Sequence, residues 1–302
     1  MKGFIEMNNE MAYLLGMICG NGEVKRGASE TIFSIEIPHK KLETEEHHDI
    51  KLYVKASIAD IKNITEPLIG AGMTFTQKNF ATVLSFSKPN SDYLTREILQ
   101  YVGMATSHND VKLHESIFQF ANDEKRQFLK GFADVTGYIR RSNCAFGEKN
   151  KHRVYLEIPY NWELVVDISN MLKDLDVPIQ SIDWAHPNMR DPRLEDYSKG
   201  KCNAWKKEHQ IKIFANEFAP IGFGILHKQQ SLEMFSAELI AGFKDRGIDA
   251  SKKTHIFYWQ GRVASRKKPP HPCEDDEFIH SAIRGKHFNS WKEIAKELGY
   301  GE

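Results

Sequence analysis

Two stretches of the chain share one cadence of apolar and polar positions. In YLLGMICGNGEV (13–24) apolar residues run as far as Ile18, and then Cys19-Gly20-Asn21-Gly22 breaks the pattern. In FLKGFADVTGYI (128–139) an aromatic, a Leu, one residue, a Gly, an apolar pair, a small polar end and a closing Gly follow in the same order. Helical spacing sets Gly16 and Gly20 on one face, and Gly131 and Val135 take those places in the second stretch. Small residues so spaced allow two helix backbones to approach closely. The plainer alternative is two core helices that use glycine for packing.

The same alternation predicts the elements that follow. In ETIFSIEIPH (30–39) Ile32, Ser34 and Glu36 alternate against Phe33, Ile35 and Ile37, which predicts a strand with one buried face, ended at Pro38. A helix is expected over 57–72, with Ser57 as candidate N-cap and a Gly pair closing it. Two strands are expected in 74–89 about a turn at Gln77-Lys78-Asn79, then a capped helix over 90–103. The second half repeats the order. A helix over 122–137 has Asn122 or Asp123 as its cap, a strand covers 152–160, and an amphipathic helix over 161–176 stops before Pro178. PIQSIDWAH and HQIKIFAN read as strands, and 227–243 as a closing helix. FSIEIPH echoes VYLEIPY, each a short way past its own helix. A repeat longer than 100 residues means duplicated halves, not a solenoid. The expected organisation is a first half over 1–110, a second over 111–247, and a basic and aromatic extension over 248–302.

LLGMICGNG (14–22) and LKGFADVTG (129–137), with the lead-in IFQFANDEKRQFLKGF, resemble the signature helix of the LAGLIDADG homing endonucleases in their single-chain, two-motif form. The resemblance spans about 8–243. It implies an α+β fold of two pseudo-symmetric αββαββα-type halves, whose antiparallel sheets form a saddle for the major groove of double-stranded DNA. It implies a helix interface of Gly16, Gly20, Gly131 and Val135, and a monomer with an internal pseudo-twofold. It also implies one carboxylate at the foot of each helix, binding Mg²⁺ for cleavage. Those two positions hold Asn21 and Thr136, a neutral amide and a hydroxyl. Two formal charges are therefore missing where a hard divalent cation should dock. Glu23 and Asp134 are the candidate substitutes, and Mg²⁺ is expected only if cleavage survives.

Candidate DNA-contacting residues on the saddle are Ser34, Glu36 and His39 in the first half and Arg153, Tyr155 and Glu157 in the second, with Gln77, Lys78, Lys207 and Lys212 on neighbouring strands. Lys25, Arg26, Arg140 and Arg141 follow the two helices at matching places, which suits phosphate contacts. Plain exposed strand faces would carry the same residues.

Composition narrows this picture a little. The 302 residues include 41 Lys and Arg against 41 Asp and Glu, so the formal net charge is zero. A protein held to nucleic acid by bulk charge alone is excluded, although a local basic face is not. Charge is segregated along the chain, with acidic runs at 41–49 and 273–277 and basic runs at 199–207 and 262–268. The segment 251–272 interleaves aromatics with Arg262, Arg266, Lys267 and Lys268, which suits nucleic-acid contact or an edge strand with a solvated loop. FNSWKEIAKELGY (288–300) predicts a small packing helix. Four scattered cysteines show no zinc or disulfide spacing and are expected to be reduced thiols. No apolar run nears the roughly 20 residues of a membrane span, and the first residues lack a signal-peptide pattern, so an intracellular site, cytoplasmic or organellar, is expected. His271, Cys273 and His280 lack a second Cys at zinc spacing. Asp191, Glu208 and Lys212 give only a faint nuclease pattern.

The expected function is sequence-specific binding of double-stranded DNA with cleavage weakened or lost. The alternatives are an active site-specific endonuclease, and a maturase-like helper of intron splicing that binds structured RNA.

Overall fold

The computed structural model describes residues 7–44, 50–70, 72–102, 107–141, 152–159, 161–179, 181–186, 208–245 and 258–259. Lys207, Arg262, Arg266, Lys267, Lys268, three of the four cysteines and the helix expected at 288–300 lie outside the described residues.

Helix α1 (Asn9–Asn21) begins where the Asn8 side chain accepts the Met11 N–H at 2.7 Å. Every residue from Met11 to Gly20 is buried. A helix apolar around its whole circumference has to be enclosed, and α4 (Asn122–Thr136) packs along it. Neither Asn122 nor Asp123 caps α4, contrary to the sequence expectation. Ala121 stands at the cap, where its N–H donates to Glu124 Oε2 at 2.8 Å, while Asp123 pairs with Arg126 at 2.7 Å. A glutamate three residues into a helix reaches the orphan N–H at its start.

The first sheet has the order β1-β2-β4-β3, with β1 (Gly22–Arg26), β2 (Glu30–Pro38), β3 (Thr74–Gln77) and β4 (Ala81–Pro89), all neighbours antiparallel. Thr31, Phe33, Ile35 and Ile37 point into the core, as the alternation predicts. Helix α2 (Ile50–Ile69) is longer than expected, and Ser57 lies inside it, its hydroxyl donating to Tyr53 O at 2.7 Å. Helical periodicity continues upstream through Tyr53 and Val54, so Ser57 had no end to cap. Gly70, at φ +78°, closes the helix with its N–H on Glu66 O at 2.8 Å. Helix α3 (Tyr93–Val102) is capped by Asp92, which accepts the Leu94 N–H at 2.8 Å.

The second sheet has the order β5-β6-β8-β7-β9, with β5 (Gly137–Arg141), β6 (His152–Pro159), β7 (Ser181–His186), β8 (Glu208–Phe214) and β9 (Tyr258–Trp259). Pairing is antiparallel except that β9 lies parallel to β7. Two residues of the C-terminal extension therefore belong to this sheet. Helices α5 (Trp162–Asp174), α6 (Ala215–Phe218) and α7 (Leu226–Asp245) complete the structure. The order αββαββα holds for 9–102 and recurs from α4 onward with α6 inserted. One hydrophobic core joins α1 and α4 to the inner residues of both sheets.

Helix α5 ends short of its expected limit, and Asp176 turns the chain away at φ 56°. At its start Asn161 accepts the Leu164 N–H at 3.0 Å and donates Nδ2 to His108 O at 3.1 Å and Val111 O at 2.8 Å. One buried amide thus caps the helix and ties it to the linker between the halves. Asn161→Ala removes a cap worth about 1 kcal/mol and strands carbonyls at about 1–3 kcal/mol. A loss of about 2–3 kcal/mol in urea unfolding is the expected result.

Candidate nucleic-acid interface

The feet of α1 and α4 are set by how closely the two helices meet. A Cβ on Gly16 would overlap the Phe128 carbonyl, and one on Gly131 would overlap the Tyr13 carbonyl. Gly20 faces the methyls of Val135 and Thr136. Each helix then runs straight into a strand. Gly22 (φ −97°, ψ 158°) donates its N–H to Ile18 O, and Gly137 (φ −102°, ψ 154°) donates to Ala133 O.

The residues just before these glycines are not equivalent. Asn21 is half-buried and donates Nδ2 to Glu36 O at 2.7 Å. Thr136 is buried, its hydroxyl donating to Phe132 O at 2.7 Å and its methyl turned into the helix contact.

Beneath α1 the outer face of the first sheet is open. Glu23, Ser34, Ser85 and Thr74 stand in register across its strands, with Glu36, Val83 and Thr76 in the next row. Lys25 pairs with Glu23 at 3.3 Å and Lys78 with Glu36 at 3.9 Å. All four of these charged side chains are at least half exposed. Three expected members are elsewhere. His39 is buried, its Nε2 at 3.0 Å from Thr82 Oγ1. The residue follows Pro38, where the strand ends in a short 3-10 turn over His39–Lys41 and the alternation stops applying. Gln77 shares the parity of Phe75, opposite Thr82, and so lies on the core side of the edge strand, although exposed. Arg26, exposed at the end of β1, pairs with buried Thr31 and shares that side too.

Over β6 the matching face of the second sheet is closed. Arg153, Tyr155 and Glu157, read from the sequence as outward groups, are 5%, 3% and 8% exposed. Tyr138 and Tyr155 stack at 5.1 Å. Arg140 lies over both rings, at 5.2 and 4.8 Å, Lys212 over Tyr155 at 5.7 Å, and Arg153 over Phe214 at 5.6 Å. Glu157 accepts from Tyr138 Oη at 2.9 Å and Gln210 Nε2 at 2.8 Å. It also pairs with Lys41 and, at 3.5 Å, with Lys40, from the turn that ends β2. Period-two alternation identifies a strand's faces without saying whether the polar one meets water. Arg140 remains exposed, and Arg141 lies next to it in β5, opposite His152.

No family model matches the sequence, and no curated protein matches it. Solved structures do. One is a variant of the I-DmoI homing endonuclease in complex with its target DNA and Mn, at 18% identity and TM-score 0.39, covering 70% of this chain and 92% of that one. Another is full-length DUF199/WhiA from Thermatoga maritima, at 11% identity and TM-score 0.37, covering 82% and 69%. A third is the N-terminal LAGLIDADG domain of DUF199/WhiA, at 10% identity and TM-score 0.34, covering 70% and 78%. Identity and score are both low, and nothing about this chain's chemistry follows from the likeness.

The side chains at the helix feet do not fit Mg²⁺, which takes hard anionic oxygens. Asn21 is neutral with its amide engaged, and Thr136 is a buried neutral hydroxyl. Glu23 stands on the open face beside Lys25. Among the described residues no three His, Cys, Asp or Glu side chains converge to hold a metal ion.

Asp134, the other candidate substitute, is withdrawn from solvent altogether. It accepts from Tyr13 Oη at 2.7 Å, Gly224 N–H at 2.8 Å and Ile225 N–H at 3.4 Å. Three positions before the closing Gly, the helix turns its side chain to the core side. Lys228 Nζ lies 3.9 Å from its carboxylate and donates to the carbonyls of Ala133, Asp134 and Gly137 at 3.1, 3.3 and 2.9 Å. Burial raises the Asp134 carboxyl above its usual range, against the pull of Lys228, Tyr13 and the two N–H groups. Burial likewise lowers Lys228 to about 8, against the attraction of Asp134.

Sequence reasoning missed this lysine, which carries no mark in a helix read only as the closing one. It also missed His108, whose backbone N–H donates to Gly22 O at 2.9 Å. Burial lowers the His108 pKa despite Glu36, Asp110 and Glu23 nearby. No local pattern around 108 announces a place at the foot of α1. Cys19 is free and buried, its thiol pushed up by burial, and no described helix is long and apolar enough to cross a membrane.

Proposed function

We propose that the chain is a sequence-specific double-stranded DNA-binding protein in which cleavage by metal ions at the helix feet has been lost. In this reading α1 and α4 form an internal pseudo-twofold axis, 1–110 and 111–247 are the two halves, and one copy of the chain suffices. The observation that carries it is the glycine-mediated helix pair ending at the roots of two sheets, one with an open polar face, with no carboxylate at either tip. A two-stranded antiparallel ribbon fits the major groove, where hydroxyl and carboxylate groups meet base edges. Ser34, Ser85, Thr74, Thr76 and Glu36 suit that role. Lys25, Lys78 and Arg140 stand at the rims, where phosphates would pass. The likeness of both motifs to the LAGLIDADG helix supports the same assignment.

The full chain, mixed with a random duplex library at fixed salt, is expected to retain a specific subset. For about four to six phosphate contacts, log K should fall with log salt at a slope of about −4 to −5. Structured RNA should compete poorly, and supercoiled plasmid with Mg²⁺ or Mn²⁺ should stay uncut. Retention of no duplex, or preference for RNA, overturns the binding assignment. Nicking abolished by Asn21→Ala overturns the loss of cleavage.

A further inference from the structure

Building on that DNA-binding reading, we propose that the protein reads bases through one sheet only. Its duplex target is then specified over one half and held mainly by phosphate contacts over the other.

The two outer faces differ in what they can offer. Direct readout needs donors and acceptors that reach base edges in the groove. On the first sheet Thr74 and Thr76 are exposed, Ser34 and Ser85 are half-buried, and all four lie on the open side of three adjacent strands. Ser34 Oγ and Ser85 Oγ are 3.3 Å apart, close enough to share a proton and to exchange it for a bond to a base. The charged groups beside them are paired at 3.3 and 3.9 Å but stay at least half in water, so those contacts open readily.

On the second sheet the same parity brings Arg153, Tyr155, Glu157 and Gln210 to the outer face, each 8% exposed or less. Glu157 and Gln210 are bonded to each other, and the Arg153 guanidinium lies over the Phe214 ring. Glu157 is held by Tyr138 and Gln210, and Tyr155 stacks on the Tyr138 ring and meets the cations of Arg140 and Lys212. Presenting these groups to bases would require breaking a buried, charge-assisted network, which is far costlier than opening a surface pair.

Among the described residues of this face Arg140 is exposed, and its guanidinium rests on two tyrosine rings. A planar guanidinium held against an aromatic face keeps its N–H edge directed outward, a geometry suited to phosphate oxygens. Lys40, 61% exposed and 3.5 Å from Glu157, adds a second cation at that rim. Neither group carries base information when it meets a phosphate.

The test is selection of bound sequences from a random duplex library by the full chain, with a footprint on the winners. Specified positions are expected in one contiguous run, covering about half of the protected length. Ser34→Ala combined with Ser85→Ala should change the preferred bases within that run. Arg140→Gln should weaken all sequences alike, about three- to tenfold, and reduce the salt slope by about 1. Glu157→Gln should leave the preferred bases unchanged. Two specified runs either side of the footprint centre, or altered base preference with Arg140→Gln or Glu157→Gln, overturn one-sheet reading while leaving DNA binding intact. Retention of no duplex at all overturns both.

Discussion

Gly131→Leu is expected to abolish the cooperative unfolding transition, and Gly131→Ala to lower stability by about 3 kcal/mol. In the middle of a helix, alanine by itself would gain about 1 kcal/mol over glycine. Here the added Cβ meets the carbonyl oxygen, carbonyl carbon and Cα of Tyr13, all backbone atoms of the facing helix. No flexible side chain can swing aside, so α1 and α4 have to part, and the loosened contact runs the length of the most buried helix in the protein. Gly16→Ala should behave alike, because its Cβ meets the Phe128 carbonyl and the Phe132 nitrogen. Gly72→Ala is the control, since nothing lies within 4 Å of a Cβ there, and its effect should stay within about 0.5 kcal/mol. Urea melts followed by circular dichroism read all three. A Gly131→Ala midpoint equal to that of the unaltered chain would mean the helices do not touch backbone to backbone.

Asp134→Ala should cost about 3–5 kcal/mol at pH 7. The substitution leaves Lys228 buried without its counter-charge, and strands the Tyr13 hydroxyl and the N–H groups of Gly224 and Ile225. Its pH dependence has a definite sign. In the folded chain Lys228 is lowered to about 8, whereas the unfolded chain holds that proton up to the ordinary lysine value of 10.5. Between these values the unfolded chain binds more protons, so the lysine's contribution to stability rises with pH across the window. Removing Asp134 takes away the attraction that opposed burial and widens the window downward. The deficit of Asp134→Ala is therefore expected to shrink from pH 7 to pH 10 as the folded lysine loses its charge. A deficit that stays constant over this range would show that the carboxylate does not act through Lys228.

The helices were the most legible part of the chain. Their 3.6-residue period and small-residue positions are local, and α1, α4, α5 and α7 appear close to where the pattern puts them. Boundaries moved where a partner outside the segment decides them. Glu124 caps α4 through Ala121, and α2 starts before Ser57 because its apolar face continues upstream. Strands β1 and β5 were not marked, since five residues that begin with a glycine give too short an alternation to stand out. Among site residues, Ser34 and Glu36 fall on the open face that the alternation predicts, and Lys25 and Lys78 join them there. His39, Arg153, Tyr155 and Glu157 do not, because burial of a polar strand face depends on what packs over it.

By itself the sequence determined that a small-residue helix is made twice, that each is followed by a β-rich segment, and that neither foot carries an acid. Those properties follow from residue identity and short-range periodicity, which act within a few turns of chain. Tertiary structure alone decided that Asp134 meets Lys228 some ninety residues away, and that Glu157 is claimed by Lys41 from the other half. It also left one sheet's polar face in water and closed the other. Such outcomes depend on which distant groups a buried charge can find, and no local pattern records that choice.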